Sequence, residues 1–118
     1  MHGVGLDLLD IARIERALER RPRLAERLFS QGELAYARAH ARPGQHLAAR
    51  FCAKEAVTKA LGLDVLRPLE IEVVRDAAGR PSVKLAGSAA ARAQELGATV
   101  LVTLTHTAVT AGAVAVAA

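Results

Sequence analysis

Aromatic residues are scarce in this chain of 118 residues, which contains two Phe, one Tyr and no Trp. Apolar residues make up 52% of the chain, but 26 residues are alanine, so a single copy would bury a thin, aliphatic core. Small chains with such cores often gain buried surface by forming oligomers. The shortage of aromatic rings also counts against a nucleic-acid-binding module, because such modules usually stack bases on aromatic side chains or present a basic recognition helix.

The chain has a single cysteine, Cys52, so it can form neither an intrachain disulfide nor a zinc site with four cysteine ligands. Long apolar runs are also absent, and Asp7 and Asp10 interrupt the N-terminal residues before a signal-like segment is complete. We therefore expect a cytoplasmic protein that neither crosses a membrane nor is exported.

Basic residues outnumber acidic residues by 16 to 12, and the isoelectric point is near 10.0. The excess is concentrated in residues 13–27, which hold six arginines and three glutamates. A basic surface of this kind predicts an acidic partner. Composition alone leaves open whether that partner is a nucleic acid, a phosphorylated small molecule or an acidic protein.

The first half of the chain has the pattern of one strand followed by four helices. The strand, at 2–9, places Val4, Leu6 and Leu8 on one face. Sequence signals for capping and termination bound the helices. The first predicted helix runs from an N-cap at Asp10 to a stop at Pro22, and the second covers 24–28. The third begins at a capping box formed by Ser30 and Glu33 and ends at about His40. The fourth follows a break at 42–44 and runs to Leu61, and Gly62 is its stop.

The second half of the chain has mostly strand-like patterns. We predict strands at 70–75 and 81–85 joined by a turn, a helix at 88–96, and strands at 99–106 and 109–117. The whole chain, 1–118, is therefore expected to be one α+β domain in which an antiparallel sheet packs against helices. The last two strands are so apolar that they need cover on both faces, and we expect a neighbouring subunit to cover one of them.

Two carboxylates are candidates for a functional site. Asp7 shares a strand face with Gly3 and Gly5, which would leave room beside it for a bulky ligand or a hydrated ion. Its alternative role is to accept a hydrogen bond from a backbone amide near the next helix. Glu55 lies on one edge of the apolar helix stripe with Lys59, and its alternative role is an ion pair with that lysine.

Basic and hydroxyl side chains are also available for binding. Arg50, Lys54 and Lys59 gather positive charge on one helix, although a solvated flank would explain them equally. His106 ends a strand before Thr107, where a histidine is most often structural. Two carboxylates on different elements, several cations and no second cysteine favour Mg²⁺, which binds through few carboxylates, several waters and substrate phosphates, over zinc.

Five ordered sequence blocks resemble the holo-acyl-carrier-protein synthases, the small 4'-phosphopantetheinyl transferases. Together they span nearly the whole chain, and their order makes the resemblance more specific than any single block. The blocks are GVGLDLLDIAR at 3–13, the segment 29–33, RFCAKEAVTKALG at 50–62, DAAGRP at 76–81 and LTHT at 104–107.

The resemblance implies Mg²⁺-dependent transfer of the phosphopantetheine arm from coenzyme A to a serine of an acyl carrier protein, with release of adenosine 3',5'-bisphosphate. It also implies a homotrimer with active sites between subunits. Asp7 and Glu55 would be the magnesium ligands. The remaining roles predicted on this basis are catalysis by Glu55, Lys59 and His106, coenzyme A binding by Arg50, Lys54, Lys59, His106 and Thr107, and carrier-protein docking by Arg13 and Arg20.

Several alternatives stay open at this point. The base that takes the serine proton is either Glu55 itself or a water bound to the metal. The carrier protein could belong to fatty-acid biosynthesis or to polyketide synthesis. The competing functions are a basic nucleic-acid-binding module and a catalytically inactive structural trimer of the same fold.

Overall fold

A computed structural model describes every residue of the chain, Met1–Ala118, as five strands and five helices. The observed order of elements is the predicted one, and the α+β class is confirmed. None of the helices has the combination of length and hydropathy that a membrane-spanning segment requires. In chain order the elements are β1 (Gly3–Asp10), α1 (Ile11–Arg20), α2 (Leu24–Leu28), α3 (Gln31–Arg38), α4 (Pro43–Ala60), β2 (Ile71–Arg75), β3 (Pro81–Leu85), α5 (Gly87–Leu96), β4 (Val100–His106) and β5 (Thr110–Ala117), with a single 3-10 turn at Pro68–Glu70 before β2.

The strands form two antiparallel sheets. The larger has the order β1-β5-β4, and β2 pairs with β3 in a separate hairpin. Asp7 on β1 pairs with Ala113 on β5, which pairs in turn with Leu104 on β4. Alternate residues of β5 are buried alanines, from Ala111 to Ala117. Because these side chains are small, α4 packs closely over the centre of the larger sheet.

Most predicted helix ends are confirmed by the backbone. Ser30 Oγ accepts from the Glu33 amide at 3.1 Å, and the Glu33 carboxylate accepts from the Ser30 amide at 2.8 Å, which completes the capping box. Gly62, with a φ of 66°, ends α4 in the left-handed conformation. Two details differ from the prediction. Asp10 occupies the N-cap of α1 without a side-chain capping bond, and Pro43 is the first residue of α4 instead of part of a break.

The glycines of β1 serve a different purpose from the predicted one. A Cβ at Gly3 would lie 2.0 Å from the carbonyl oxygen of Ala60, and a Cβ at Gly5 would lie 1.9 Å from that of Ala56. The space beside the two glycines is therefore filled by the backbone of α4. The prediction that these glycines leave room for a ligand beside Asp7 is wrong in this respect. Glycine is needed because the helix and the strand approach each other at backbone distance.

The opposite side of the larger sheet has no cover within the chain. Val4, Leu6, Leu8 and Leu101 are each 58–66% exposed there. They point away from α4 together with Val114 and Val116 of β5, since the strand register places all six on one side. We call these six residues the open sheet face. A contiguous apolar surface of this kind is typical of an interaction site.

A buried ion pair corrects the prediction that Lys54 binds the coenzyme. The Lys54 side chain is fully buried, and its ammonium donates to Glu33 Oε1 at 2.8 Å and to the carbonyls of Pro68 and Ile71 at 2.7 Å each. All three donors of the ammonium are thus used inside the protein. Burial lowers the pKa of Lys54, and the Glu33 carboxylate acts in the opposite direction. Because its three hydrogen bonds are made inside the protein, Lys54 has no donor left for a phosphate. Its role is to hold α3, α4 and β2 together.

We predict that Lys54→Met lowers the free energy of unfolding by about 3–5 kcal/mol, because the substitution leaves the Glu33 carboxylate buried without its cation. Urea unfolding followed by circular dichroism measures the change. Lys84→Met, at an exposed lysine of β3, is the matched control and should change stability by less than about 0.5 kcal/mol. Equal effects of the two substitutions would contradict the structural role of Lys54.

Candidate active site

Asp7 and Glu55 line the same cleft, which has a volume of about 490 Å³ and lies between β1, α1, α2 and α4. Arg13 of α1 is the third charged residue of its wall. The other lining residues are apolar, among them Phe51 of α4 and Leu24 of α2. We call this site the carboxylate cleft. Two carboxylates that are 48 positions apart in the sequence thus reach one site because α4 packs directly on β1.

The two carboxylates influence each other through their charge. Burial, followed by the negative charge of Asp7, raises the pKa of Glu55, and Lys59 acts in the opposite direction. Lys59 Nζ lies 3.6 Å from Asp7 Oδ1 and donates to the carbonyl of Leu6 at 2.9 Å. The predicted alternative for Glu55, an ion pair with Lys59, is therefore not formed, because Lys59 pairs with Asp7.

The donor set of the carboxylate cleft decides which metal suits it. The structure contains no group of three or more His, Cys, Asp or Glu side chains arranged to hold a metal ion. Asp7 and Glu55 therefore supply only two carboxylates, and water and substrate phosphates must complete the coordination. That set fits Mg²⁺, which prefers oxygen ligands and keeps several waters. Burial is the main cause of the raised pKa of Glu55, and a cation between the two groups would relieve the second cause, the repulsion from Asp7.

Cys52 lies beside the cleft but is not suited to chemistry. Its thiol is buried and donates to the carbonyl of Ala111 at 3.6 Å. Burial, together with the neighbouring Asp7 carboxylate, raises the pKa of Cys52 to about 12. The thiolate, which is the reactive form, is therefore scarce at neutral pH.

Arg50, His106 and Thr107 do not line the carboxylate cleft, so a single copy of the chain does not unite the predicted coenzyme-binding residues. Arg50 is only 4% exposed, and its guanidinium carbon lies 4.0 Å from the centroid of the Tyr36 ring. Its Nε is buried without a hydrogen-bond partner. Thr107 Oγ1 accepts from the amides of Val109 and Thr110, so this hydroxyl shapes the turn between β4 and β5.

Arg50 and His106 belong to a second group of side chains, which sequence reasoning missed. The ring centroids of His40 and His46 are 4.0 Å apart, and those of His46 and His106 are 6.0 Å apart. Arg75 donates to the hydroxyl of Tyr36 at 2.9 Å. The spacing of four residues between Tyr36 and His40, and between His46 and Arg50, is the only sequence signal for this group. We call it the histidine cluster, which consists of Tyr36, His40, His46, Arg50, Arg75 and His106.

The two predicted docking arginines are exposed on one side of the carboxylate cleft. Arg13 forms part of the cleft wall. Arg20 lines an adjoining depression with Arg21. Ala17 and Leu24 contribute to both the cleft and the depression, so the two arginines border one continuous concave surface.

The family model of the 4'-phosphopantetheinyl transferase superfamily matches residues 3–112. A holo-[acyl-carrier-protein] synthase of Moorella thermoacetica is 47% identical over 114 residues, which cover 94% of this chain and 89% of that protein. Another protein of that name, from Streptomyces coelicolor, is 47% identical over 117 residues, covering 98% of this chain and 95% of the relative.

Solved structures show the same fold. The holo-[acyl-carrier-protein] synthase of Neisseria meningitidis superposes with a TM-score of 0.88 at 29% identity, covering 100% of this chain and 98% of the other. The Helicobacter pylori holo-[acyl-carrier-protein] synthase in complex with coenzyme A superposes with a TM-score of 0.83 at 26% identity, covering 98% and 99% of the two chains.

Proposed function

This chain belongs to the 4'-phosphopantetheinyl transferase superfamily, and we propose that it transfers the 4'-phosphopantetheine group from coenzyme A to a serine of an apo acyl carrier protein. The single observation that carries the proposal is the convergence of Asp7 and Glu55 in one cleft beside Lys59. Carboxylates and a lysine are the groups that phosphoryl transfer from a pyrophosphate requires. The predicted cytoplasmic location stays a prediction.

Mg²⁺ is the metal that we propose for this reaction, with Asp7 and Glu55 as its protein ligands. When bound, Mg²⁺ would offset the negative charge of the coenzyme A pyrophosphate. Lys59 donates to the Leu6 carbonyl, and its side chain beside Asp7 is 53% exposed, so its ammonium can contact a phosphate oxygen. Its role is to stabilise the charge that develops on the leaving bisphosphate.

The reaction forms one bond and breaks one. The serine oxygen bonds to the phosphorus that carries the pantetheine arm, and the bond from that phosphorus to the bridging pyrophosphate oxygen breaks. Adenosine 3',5'-bisphosphate leaves with the bridging oxygen. We propose that Glu55 accepts the serine proton directly or through a water that it orients. Holding the serine hydroxyl in line with the leaving oxygen supplies much of the remaining rate enhancement.

We propose that the active enzyme is a homotrimer with its sites between subunits. Two observations support this arrangement. The open sheet face is apolar and has no cover within the chain. The histidine cluster is located beside α3, β2 and the end of β4, whereas the carboxylate cleft is located beside β1, α1 and α2. A site between subunits can therefore combine the cleft of one copy with His106 and Arg50 of the next.

Arg13 and Arg20 are proposed to dock the carrier protein. Both border the concave surface that leads into the carboxylate cleft. A carrier bound there would present its serine to the site, and its acidic residues would be attracted by residues 13–27. Such charges mainly increase the rate of encounter and set orientation.

To test the transferase proposal, apo acyl carrier protein is incubated with coenzyme A and the enzyme, with and without Mg²⁺. The mass of the carrier protein is then measured by mass spectrometry. We expect the mass of phosphopantetheine to be gained only when the metal is present. Asp7→Asn and Glu55→Gln should each lower the rate about 100-fold or more, because they remove a charged ligand. Asp10→Asn, at a carboxylate on the same strand that makes no capping bond, is the control. A carrier that gains no mass with the native enzyme would contradict the proposed function.

The trimer is tested by sedimentation equilibrium. We expect a mass three times the 12.4 kDa of the chain. Leu6→Glu should dissociate the trimer and abolish transfer, because it places a charge in the open sheet face. Val65→Glu, at a residue that is 61% exposed outside this face, is the matched control and should leave the trimer intact. A native chain that sediments as a monomer while it transfers would refute the arrangement.

Docking is tested by reversing one charge. Arg13→Glu should raise the KM for the carrier protein about five- to tenfold at low ionic strength and leave the KM for coenzyme A unchanged. The increase should shrink as salt is added, because salt screens exposed charges. Arg67→Glu, at an exposed arginine outside residues 13–27, serves as the control. An unchanged carrier KM for the Arg13 variant would remove Arg13 from the docking surface.

A further inference from the structure

The turn between β4 and β5 is exposed, so burial does not hold it in place. We call residues 107–109 the β4–β5 turn, and all three of them are exposed. The hydroxyl of Thr107 accepts from the amides of Val109 and Thr110, which fixes the shape of the turn. The position of the turn relative to the rest of the chain depends on contacts from other elements. These contacts matter because the turn adjoins His106, which the proposed function assigns to the active site.

Two donors from other elements reach the β4–β5 turn. The backbone amide of Ile11, the first residue of α1, donates to the carbonyl of Val109 at 2.8 Å. Arg42, the residue before α4, donates from Nη1 to the carbonyl of Ala108. A third donor, Gln45 Nε2, lies 3.5 Å from the turn and adds little at that distance. Arg42 is therefore the side chain that holds the turn.

The guanidinium of Arg42 is itself held by Glu15 of α1. Nε and Nη2 donate to the two oxygens of the Glu15 carboxylate at 3.1 and 2.9 Å. A bidentate pair of this kind fixes the plane of the guanidinium, so Nη1 is left pointing at the Ala108 carbonyl. No other ion pair in the structure joins α1 to another element. The three residues thus connect α1, the start of α4 and the β4–β5 turn.

Gly44 gives independent evidence that the position of Glu15 is closely defined. A Cβ at Gly44 would lie 2.3 Å from Cγ of Glu15 and 2.4 Å from its Oε2. Glycine is a poor helix former, yet this one lies in the first turn of α4. The room that the Glu15 side chain needs explains its presence there.

Glu15 faces away from the surface where the carrier protein is proposed to dock. Arg13 and Glu15 are two residues apart on a helix, so their side chains point in directions that differ by about 200°. Arg13 lines the carboxylate cleft, whereas Glu15 lines a separate depression beside Gly44. A substitution at Glu15 therefore leaves the cleft wall intact.

We propose that Arg42 and Glu15 are positioning residues for coenzyme A binding, which hold the β4–β5 turn, and with it His106, in the position that the coenzyme requires. The inference rests on the proposed function for the identity of the ligand. Neither residue has to contact the coenzyme. A turn that is in the competent position only part of the time binds more weakly, because the apparent Kd is the intrinsic Kd divided by the competent fraction.

The competing role for Arg42 is simple attraction of an anionic ligand by its charge, and two substitutions separate the roles. Glu15→Gln removes a negative charge, so charge alone would strengthen coenzyme A binding. Positioning predicts the opposite, because Arg42 loses its ionised bidentate partner. Arg42→Lys keeps the positive charge, but an ammonium cannot reproduce the planar fork that contacts both Glu15 and Ala108.

Isothermal titration calorimetry of coenzyme A into the full chain measures the effect. We expect Glu15→Gln and Arg42→Lys each to raise the Kd for coenzyme A about three- to tenfold, because the turn is less often in the competent position. The KM for the carrier protein should not rise. Gly44→Ala should also raise the Kd for coenzyme A, since its Cβ displaces Glu15 without changing any charge.

Arg92→Ala is the matched control. Arg92 also donates to a carboxylate, that of Glu95, and to a backbone carbonyl, that of Leu61, but it does so at the other end of α4. This substitution removes the same kinds of contact and should leave the Kd for coenzyme A unchanged.

Hydrogen exchange detects the turn without any ligand. The Ile11 amide, which donates to Val109, should exchange about tenfold faster in the Glu15 and Arg42 variants. The Val73 amide, which donates to Glu33, should exchange at the native rate, because the loss is local. Faster exchange at both amides would mean a general loss of stability and would contradict the positioning role.

The outcomes separate this inference from the proposed function. Native or tighter coenzyme A binding by Glu15→Gln, or native binding by Arg42→Lys, would overturn the inference while transfer by the native enzyme leaves the function standing. A native chain that binds coenzyme A but modifies no carrier would reject the transferase, and the Kd values of the variants would still decide the inference. A native chain that does not bind coenzyme A would overturn both.

Discussion

The backbones of α4 and β1 lie in direct contact, and this contact sets the geometry of the candidate site. Any side chain at Gly3 or Gly5 would collide with the carbonyl oxygens of Ala60 or Ala56. The missing Cβ atoms let the helix lie directly on the strand, which brings Glu55 of the helix to the same cleft as Asp7. The carboxylate pair is thus a product of close packing. The buried alanines of β5 extend the same close approach across the sheet.

The helix α4, which brings the carboxylates together, also separates two sites of opposite charge. The carboxylate cleft holds negative charge on the side of β1 and α1, and the histidine cluster holds positive charge on the side of α3 and β2. The proposed reaction would use both, because a metal held by the carboxylates and the cationic side chains would neutralise different parts of the charge of coenzyme A. The open sheet face gives a physical reason for copies of the chain to associate.

The internal ion pair explains why one helix can carry so many charged residues. Lys54 and Glu55 are neighbours in sequence but point in directions that differ by about 100°. Lys54 enters the protein and binds Glu33, the same residue that completes the cap of α3. Through its other oxygen, Glu33 accepts from the amide of Val73 at 2.8 Å. The pair therefore fixes the positions of α3 and β2, which contribute Tyr36 and Arg75 to the histidine cluster.

The order of the elements, the capping box at Ser30 and the stop at Gly62 could be predicted from the sequence, and Asp7 and Glu55 could be selected from it as candidates. These features depend on local signals: periodicity of two or 3.6 residues, cap chemistry and the rarity of carboxylates on apolar faces. Long-range packing explains the rest: Gly3 and Gly5 accommodate a helix, Lys54 is internal, and His40, His46 and His106 meet. Each of these depends on which distant segment packs against a residue, and no local pattern encodes that choice.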